Sequence, residues 1–316
     1  VQSIVAVIAK IICALASLST KHDRRQLPHP QNKGKNMTQT NATTSNQAPL
    51  TAMPILGTGT FRLKDNAAFD AVLMALEEGS RHIDTAQIYG NEQAVGNAIN
   101  ASGIPREELF ITTKVWTENL TKERFETSVI DSLTALQTEY LDLLLIHWPL
   151  NSDEPSMVEY LSELKAVLDK GLTRRIGVSN FTNAQLAQAI AILGEGVIYT
   201  NQVEVHPYLI NRKVTDFCRQ HNVLVTGYMP FAYGAVLQDE TIVNLASVHQ
   251  ATPAQIVLAW LRQLGFATIP SSTKRDNVRS NLAAASINLT PAEIEQINQL
   301  DRNHRVANPD FAPHWD

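Results

Sequence analysis

From residue 50 onward the chain alternates short apolar runs rich in β-formers with longer stretches that are amphipathic at the helical period. Eight such runs occur: Ile55-Leu56-Gly57, the weakest, then residues 81–85, 109–114, 141–147, 175–179, 198–203, 223–228 and 267–271. Within 141–146 every residue but one is apolar, as suits a strand buried on both faces. Strands alternating with helices imply a parallel sheet. Among the helical stretches, 66–78 opens after Asp65 and stops at Gly79. The stretch 121–137 brings Phe125, Val129, Leu133 and Leu136 to one face, with Lys122, Glu123 and Glu126 outward. Thr252-Pro253 and Thr290-Pro291 each read as an N-cap followed by proline in the first helical turn.

The first fifty residues break this pattern. Residues 4–18 are apolar but interrupted by Lys10 and too short to span a bilayer comfortably. They resemble a signal-peptide core with the small-residue exit Ala14-Leu15-Ala16, yet no basic stretch precedes them. A polar segment follows to about Pro49 and has the composition of a disordered chain. Met37 stands where a translation start would fall, so residues 1–36 read as lying upstream of the working protein. We therefore expect a dispensable extension over residues 1–49 and one domain over 50–316. Subtracting the extension leaves 316 − 50 = 266 residues, close to the ~250 of a (β/α)8 barrel. The expected fold is α/β, a single (β/α)8 TIM barrel. A doubly wound nucleotide-binding sheet is the runner-up, but Gly57-Thr58-Gly59-Thr60-Phe61 lacks the third glycine of a Gly-x-Gly-x-x-Gly turn and no helix opens directly behind it.

Composition narrows the partners. The chain is 44% hydrophobic and 18% charged with a net charge of -5, and no basic stripe stands out, which argues against nucleic acid or an anionic membrane. Its two cysteines, Cys13 and Cys218, support neither a disulfide framework nor a metal site. A reducing, cytoplasmic setting is expected. A glycan on the sequon-like Asn180-Phe181-Thr182 would disrupt a candidate site, which favours the same compartment.

In a barrel, active-site groups gather at the carboxyl ends of the strands. Asp84, Lys114, His147, Ser179, Gln202 and Tyr228 all fall there, and Tyr89 lies in the loop after Asp84. Singly, Asp84 reads as a loop cap, Lys114 as a solvated strand end and His147 as a core histidine. At three successive strand ends they outline a proton-transfer centre. A lysine beside a phenol favours the phenolate and lowers its pKa from about 10, and an aspartate keeps that lysine charged. With a histidine opposite, two donors meet on one oxygen, as a carbonyl turning into an alkoxide requires. No side chain supplies hydride, so the centre calls for a nicotinamide cofactor.

Residues and spacing together resemble the aldo-keto reductase family, from about Ala52 to Asp316. The motifs are Leu56-Gly57-Thr58-Gly59-Thr60-Phe61, Asp84-Thr85-Ala86-Gln87-Ile88-Tyr89-Gly90-Asn91-Glu92, Ile111-Thr112-Thr113-Lys114-Val115-Trp116, Leu145-Ile146-His147-Trp148-Pro149, Ile176-Gly177-Val178-Ser179-Asn180-Phe181, Asn201-Gln202-Val203-Glu204 and Ile269-Pro270-Ser271-Ser272-Thr273-Lys274-Arg275. Within the family, the short loops and the closing Pro313-His314-Trp315-Asp316 resemble bacterial 2,5-diketo-D-gluconate reductases of the B type. The resemblance implies Tyr89 as general acid, Lys114 as its tuning cation, Asp84 as the partner of Lys114 and His147 as the carbonyl-orienting group. It implies that Ser179, Asn180 and Gln202 bind the nicotinamide carboxamide with Tyr228 under its ring. Thr60 and Asp84 would also touch the cofactor, and Ser272, Thr273, Lys274, Arg275, Asn277 and Asn281 would hold its adenosine end. Many members carry Lys where Ser271 stands and Arg where Asn277 stands, so Lys274 and Arg275 are read as gripping a 2′-phosphate, which makes NADPH the expected cofactor. An anion there would also offset two cations at a helix start. Phe61, Trp116 and Trp148, with His147, are read as the wall for a small carbonyl substrate. Trp315 reads equally as pocket lid or surface anchor. Aldehydes, α-dicarbonyls such as methylglyoxal, and keto sugars would all fit, and the family's habit implies a monomer. Two other readings stand beside this one: a non-catalytic NADPH sensor, and a Schiff-base lyase with Lys114 as nucleophile.

Overall fold

The computed structural model describes residues 52–152 and 154–316. The expected extension over 1–49, with Cys13 and Met37, lies outside the described residues. Eight strands run parallel in chain order: β1 (Thr58–Gly59), β2 (His82–Asp84), β3 (Phe110–Val115), β4 (Leu143–Ile146), β5 (Ile176–Ser179), β6 (Ile198–Glu204), β7 (Leu224–Tyr228) and β8 (Ala267–Thr268). Between them lie α1 (Asp65–Glu77), α2 (Glu92–Ser102), α3 (Lys122–Leu136), α4 (Met157–Asp169), α5 (Asn183–Leu193), α6 (Arg212–Gln220), and then α7 (Glu240–Val248) with α8 (Pro253–Gln263). Beyond β8 come α9 (Arg275–Ala283) and α10 (Pro291–Asn298). The run ahead of β1 reaches back to β8: Gly57 N–H donates to Thr268 O at 2.9 Å and Thr268 N–H to Ile55 O at 2.7 Å. The sheet thus curls round on itself, consistent with a (β/α)8 barrel.

Two of the expected strands shift. Ile55-Leu56-Gly57 contributes a single bridge, Leu56 to Thr268, and β1 proper is Thr58–Gly59. The last run stops at Thr268, since Pro270 has no N–H to extend a ladder. Helix boundaries match closely. Thr252 and Thr290 each form a capping box, with Gln255 and Glu293 reaching back to them. The N-cap of α1 is Lys64, with Asp65 the first helical residue.

Side-chain alternation along the strands explains both the core and the site. In β4, Leu144 and Ile146 pack outward in the large cluster shared with the helices, while Leu143 and Leu145 join Phe110, Met53 and Ala267 in a small cluster on the other face. In β3, Ile111 and Val115 face the helices; Phe110, Thr112 and Lys114 share the opposite face. In β3 and β4 this face therefore begins with the apolar Phe110 and Leu143 and ends at Lys114 and, just past β4, His147.

Candidate active site

That alternation carries Asp84, Lys114 and His147 to one place. Lys114 Nζ, fully buried, donates to Asp84 Oδ1 at 2.5 Å and to Thr85 O at 2.7 Å. Gln202 Nε2 donates to the other oxygen, Asp84 Oδ2, at 2.8 Å. The Tyr89 ring lies 5.3 Å from Lys114 Nζ and packs edge-on against the His147 ring at 5.6 Å. The loop bearing Tyr89 is tied down by its neighbours. Gln87 accepts from Trp116 N–H at 2.9 Å and donates to Ser128 and Ser132 of α3, and Asn91 Nδ2 donates to Thr60 O and Leu63 O, each at 2.9 Å. Both lie in the motif that runs from Asp84 to Glu92, where the sequence reading gives them no role; their signal was their being amides in a tight loop.

Electrostatics differ from expectation in one respect. The Tyr89 phenol is pushed well above 10.0, by burial first and then by Asp84 and Tyr228, whereas Lys114 was expected to lower it. The physical reason is burial: the cost of taking a phenolate out of water outweighs the attraction of an ammonium already bonded to Asp84 and Thr85. A phenol kept protonated is still the form that can give a proton. His147 is held well below 6.5, by burial first and then by Lys114, so its ring is neutral. Its Nδ1 is buried without a hydrogen-bond partner. An orphaned N–H is costlier than an orphaned lone pair, which favours the hydrogen on Nε2, the nitrogen left to serve the pocket.

The cavity above this centre holds about 450 Å³. Phe61, Trp116 and Trp148 line it, along with Tyr89, His147, Ser179, Asn180, Gln202 and Tyr228. Missed from the sequence were Ile88, Met229, Tyr233 and the tail residues Val306, Ala307, Asn308, Pro309 and Phe311. The tail has no periodicity to betray it. Phe311 stacks edge-on against both Trp116 at 5.7 Å and Trp148 at 5.4 Å. Trp315 lies behind Trp148, under the Arg305 guanidinium at 3.7 Å, and is an anchor rather than a lid.

The residues expected to hold a nicotinamide are knitted together. Ser179 Oγ donates to Gln202 O at 2.8 Å, Asn180 Nδ2 to His147 O at 3.0 Å, and the Tyr228 hydroxyl to Asn180 Oδ1 at 2.8 Å. All four still present atoms to the cavity, so amide and hydroxyl groups beside an aromatic ring fit a nicotinamide carboxamide. Thr60 is fully buried and its hydroxyl donates to Asp84 O at 3.1 Å, a supporting position. Ser272, Thr273, Lys274, Arg275, Asn277 and Asn281 lie outside the cavity: the first four lead into α9, and Asn277 and Asn281 lie within it. Arg275 is ion-paired to Glu77 at 2.6 Å and Glu78 at 2.8 Å, so carboxylates at the end of α1 offset one of the two cations at this helix start. Lys274 is exposed with no ion pair among the described residues.

Residues 55–302 match the model of the aldo/keto reductase family. The chain is 51% identical over 266 residues to the methylglyoxal reductase DkgB of Escherichia coli O157:H7, covering 84% of this chain and 100% of that protein. It is 38% identical to the 9,11-endoperoxide prostaglandin H2 reductase of Trypanosoma cruzi, covering 80% of this chain and 90% of that one. Among solved structures, a putative 2,5-diketo-D-gluconic acid reductase B superposes with a TM-score of 0.81 at 40% identity, over 84% of this chain and 94% of that one. No helix among the described residues is long and apolar enough to cross a membrane.

Proposed function

The chain belongs to the aldo/keto reductase family, and from that premise we propose that it reduces small neutral aldehydes and α-dicarbonyls to alcohols with NADPH, on a complete (β/α)8 barrel. The observation that carries this reading is the meeting of Tyr89 and His147 on one cavity, with the Lys114–Asp84 pair beneath and three polar side chains opposite. NADPH, when bound, supplies the hydride. Ser179, Asn180 and Gln202 orient its carboxamide against Tyr228. The neutral His147 imidazole donates a hydrogen bond to the substrate oxygen and aims the carbonyl. Tyr89 gives that oxygen its proton as negative charge develops there, and the Lys114 ammonium stabilises the phenolate left behind.

Substrate choice follows from charge. None of the side chains lining the cavity carries a formal charge at neutral pH, since burial keeps His147 and Tyr89 neutral. Taking a carboxylate out of water against such a wall is unfavourable without a cation to pair it. Methylglyoxal, which names one set of relatives, is neutral; 2,5-diketo-D-gluconate is an anion and ranks second. The sensor reading has no use for an intact Asp84, Tyr89, Lys114 and His147 set. The lyase reading needs Lys114 within reach of substrate, and it does not line the cavity. Residues 1–49 are read as dispensable, since a whole relative is matched within 266 residues.

The test follows loss of NADPH absorbance by the full chain with methylglyoxal and 2,5-diketo-D-gluconate in parallel, with NADH and Tyr89→Phe as controls. Turnover that needs NADPH and Tyr89 supports the reading. Tight NADPH binding without turnover of either substrate supports the sensor instead.

A further inference from the structure

Part of the pocket wall is carried by no strand or helix. After α10 the chain runs without regular structure to its end, yet Val306, Ala307, Asn308, Pro309 and Phe311 line the cavity. Something must hold an irregular strap at a definite height. Glu204, the last residue of β6, is fully buried. Its Oε1 accepts from Val306 N–H at 2.8 Å and its Oε2 from Ala307 N–H at 2.8 Å. His206 Nε2 faces Oε1 at 2.8 Å. The tail is held elsewhere too: Tyr208 O accepts from His304 N–H at 2.9 Å, and Asn151 Nδ2 donates to Phe311 O at 2.9 Å. Glu204 differs in using both oxygens of a buried charge on two consecutive backbone donors that border the pocket. A bare carboxylate at that depth would be costly, whereas one accepting from three donors makes strong, charge-assisted bonds.

Its place in the strand adds to this. β6 carries one extra residue relative to β5, since Ile176 and Val178 pair with Ile198 and Asn201. Beyond that bulge, side chains two apart share a face. Gln202, which donates to Asp84, and Glu204, which holds the strap, therefore project together. One rigid strand end positions the catalytic carboxylate and the strap.

We propose that Glu204 is a positioning residue that sets substrate size: it fixes the strap over Trp116 and Trp148 and so shapes the space for the part of the substrate beyond the carbonyl. The proposal rests on the reductase reading above. An amide cannot replace this carboxylate, because Gln presents one acceptor and one donor to two N–H donors.

The test uses Glu204→Gln and, from the other side of the contact, Ala307→Pro, which removes one of the two donors. KM and kcat are measured with methylglyoxal and with benzaldehyde, alongside the rate of tryptic cleavage after Arg302 and Arg305. Expected is a rise of about ten-fold in KM for benzaldehyde relative to methylglyoxal, a kcat for benzaldehyde within about two-fold of the parent, and faster cleavage. Unchanged KM ratio and unchanged cleavage in both variants overturn the proposal, even if Tm falls, because a merely structural carboxylate would lower Tm alone. If Glu204→Gln does not fold, Ala307→Pro decides. Should the parent reduce no aldehyde, the reductase reading fails, while cleavage still judges the strap.

Discussion

Gln202 and Asp84, 118 residues apart in the chain, are joined by a 2.8 Å hydrogen bond from the amide nitrogen to Oδ2, opposite the oxygen that holds Lys114. Asp84 is therefore gripped from both sides, which a loop cap would not be. The carboxylate is the joint between β2, β3 and β6, and the position of Lys114 under Tyr89 depends on it.

Asp84→Asn should accordingly damage stability as well as activity. It leaves a fully buried ammonium without its counter-charge, a defect of about 3–5 kcal/mol. Urea unfolding of the variant measures this. A loss below about 1 kcal/mol would mean that Lys114 finds water or another partner, and that the pair is weaker than its burial implies.

Tyr89→Phe removes one hydroxyl from the cavity and leaves the ring packing on Phe61 at 5.2 Å and on His147. If the phenol is the general acid, kcat falls by about 10²–10⁴ while NADPH affinity, read by fluorescence titration, stays put. A variant as fast as the parent would remove Tyr89 from the mechanism.

The parallel order of the sheet and the limits of α1 and α3 were legible because the apolar run of β4 and the helical spacing of α3 stand out in the sequence. Asp84, Lys114 and His147 were legible because strand alternation is a rule of geometry: once Phe110 faces inward, so must Lys114. Charge balance was less readable. The pairing of Arg275 with Glu77 and Glu78 joins α9 to α1 across 198 and 197 residues, and no local pattern announces it. Neither did the tail, whose order comes from hydrogen bonds to Glu204 and Tyr208 rather than from any repeat of its own. Glu204 closes the motif Asn201-Gln202-Val203-Glu204, and its spacing of two from Gln202 was the signal available.

Titration gives a prediction with a definite sign. His82 and His147 are held below 6.5 in the folded chain, each chiefly by burial. The unfolded chain, with ordinary histidines, binds protons more readily, so the neutral rings contribute stability above pH 6.5 that is lost as pH falls below it. Tm should drop between about pH 7 and pH 5, and less steeply in His82→Gln. Activity should behave differently. His147 stays neutral below 6.5 and Tyr89 stays protonated above 10.0, so neither places an inflection in kcat between those values. An inflection near pH 6.5 that vanishes in His147→Gln would show that the ring is not held neutral.

Cofactor preference separates two adjacent cations. Arg275 is satisfied by Glu77 and Glu78, and Arg279 adds a 2.9 Å bond to Glu78, so the guanidinium would have to exchange partners to reach a phosphate. Lys274, next to it, has no such commitment among the described residues, and it stands at the N-terminus of α9, where an anion is favoured. Lys274→Ala should weaken NADPH binding by about ten-fold and leave NADH nearly unchanged, because the two differ only by the 2′-phosphate. Arg275→Ala should have the smaller effect on that ratio. The opposite order would mean that the bridge to α1 opens to admit the phosphate, and that the ion pairs seen here store the guanidinium for the cofactor rather than hold α9 to α1. Titrating both variants with both nucleotides decides between these two uses of the same arginine.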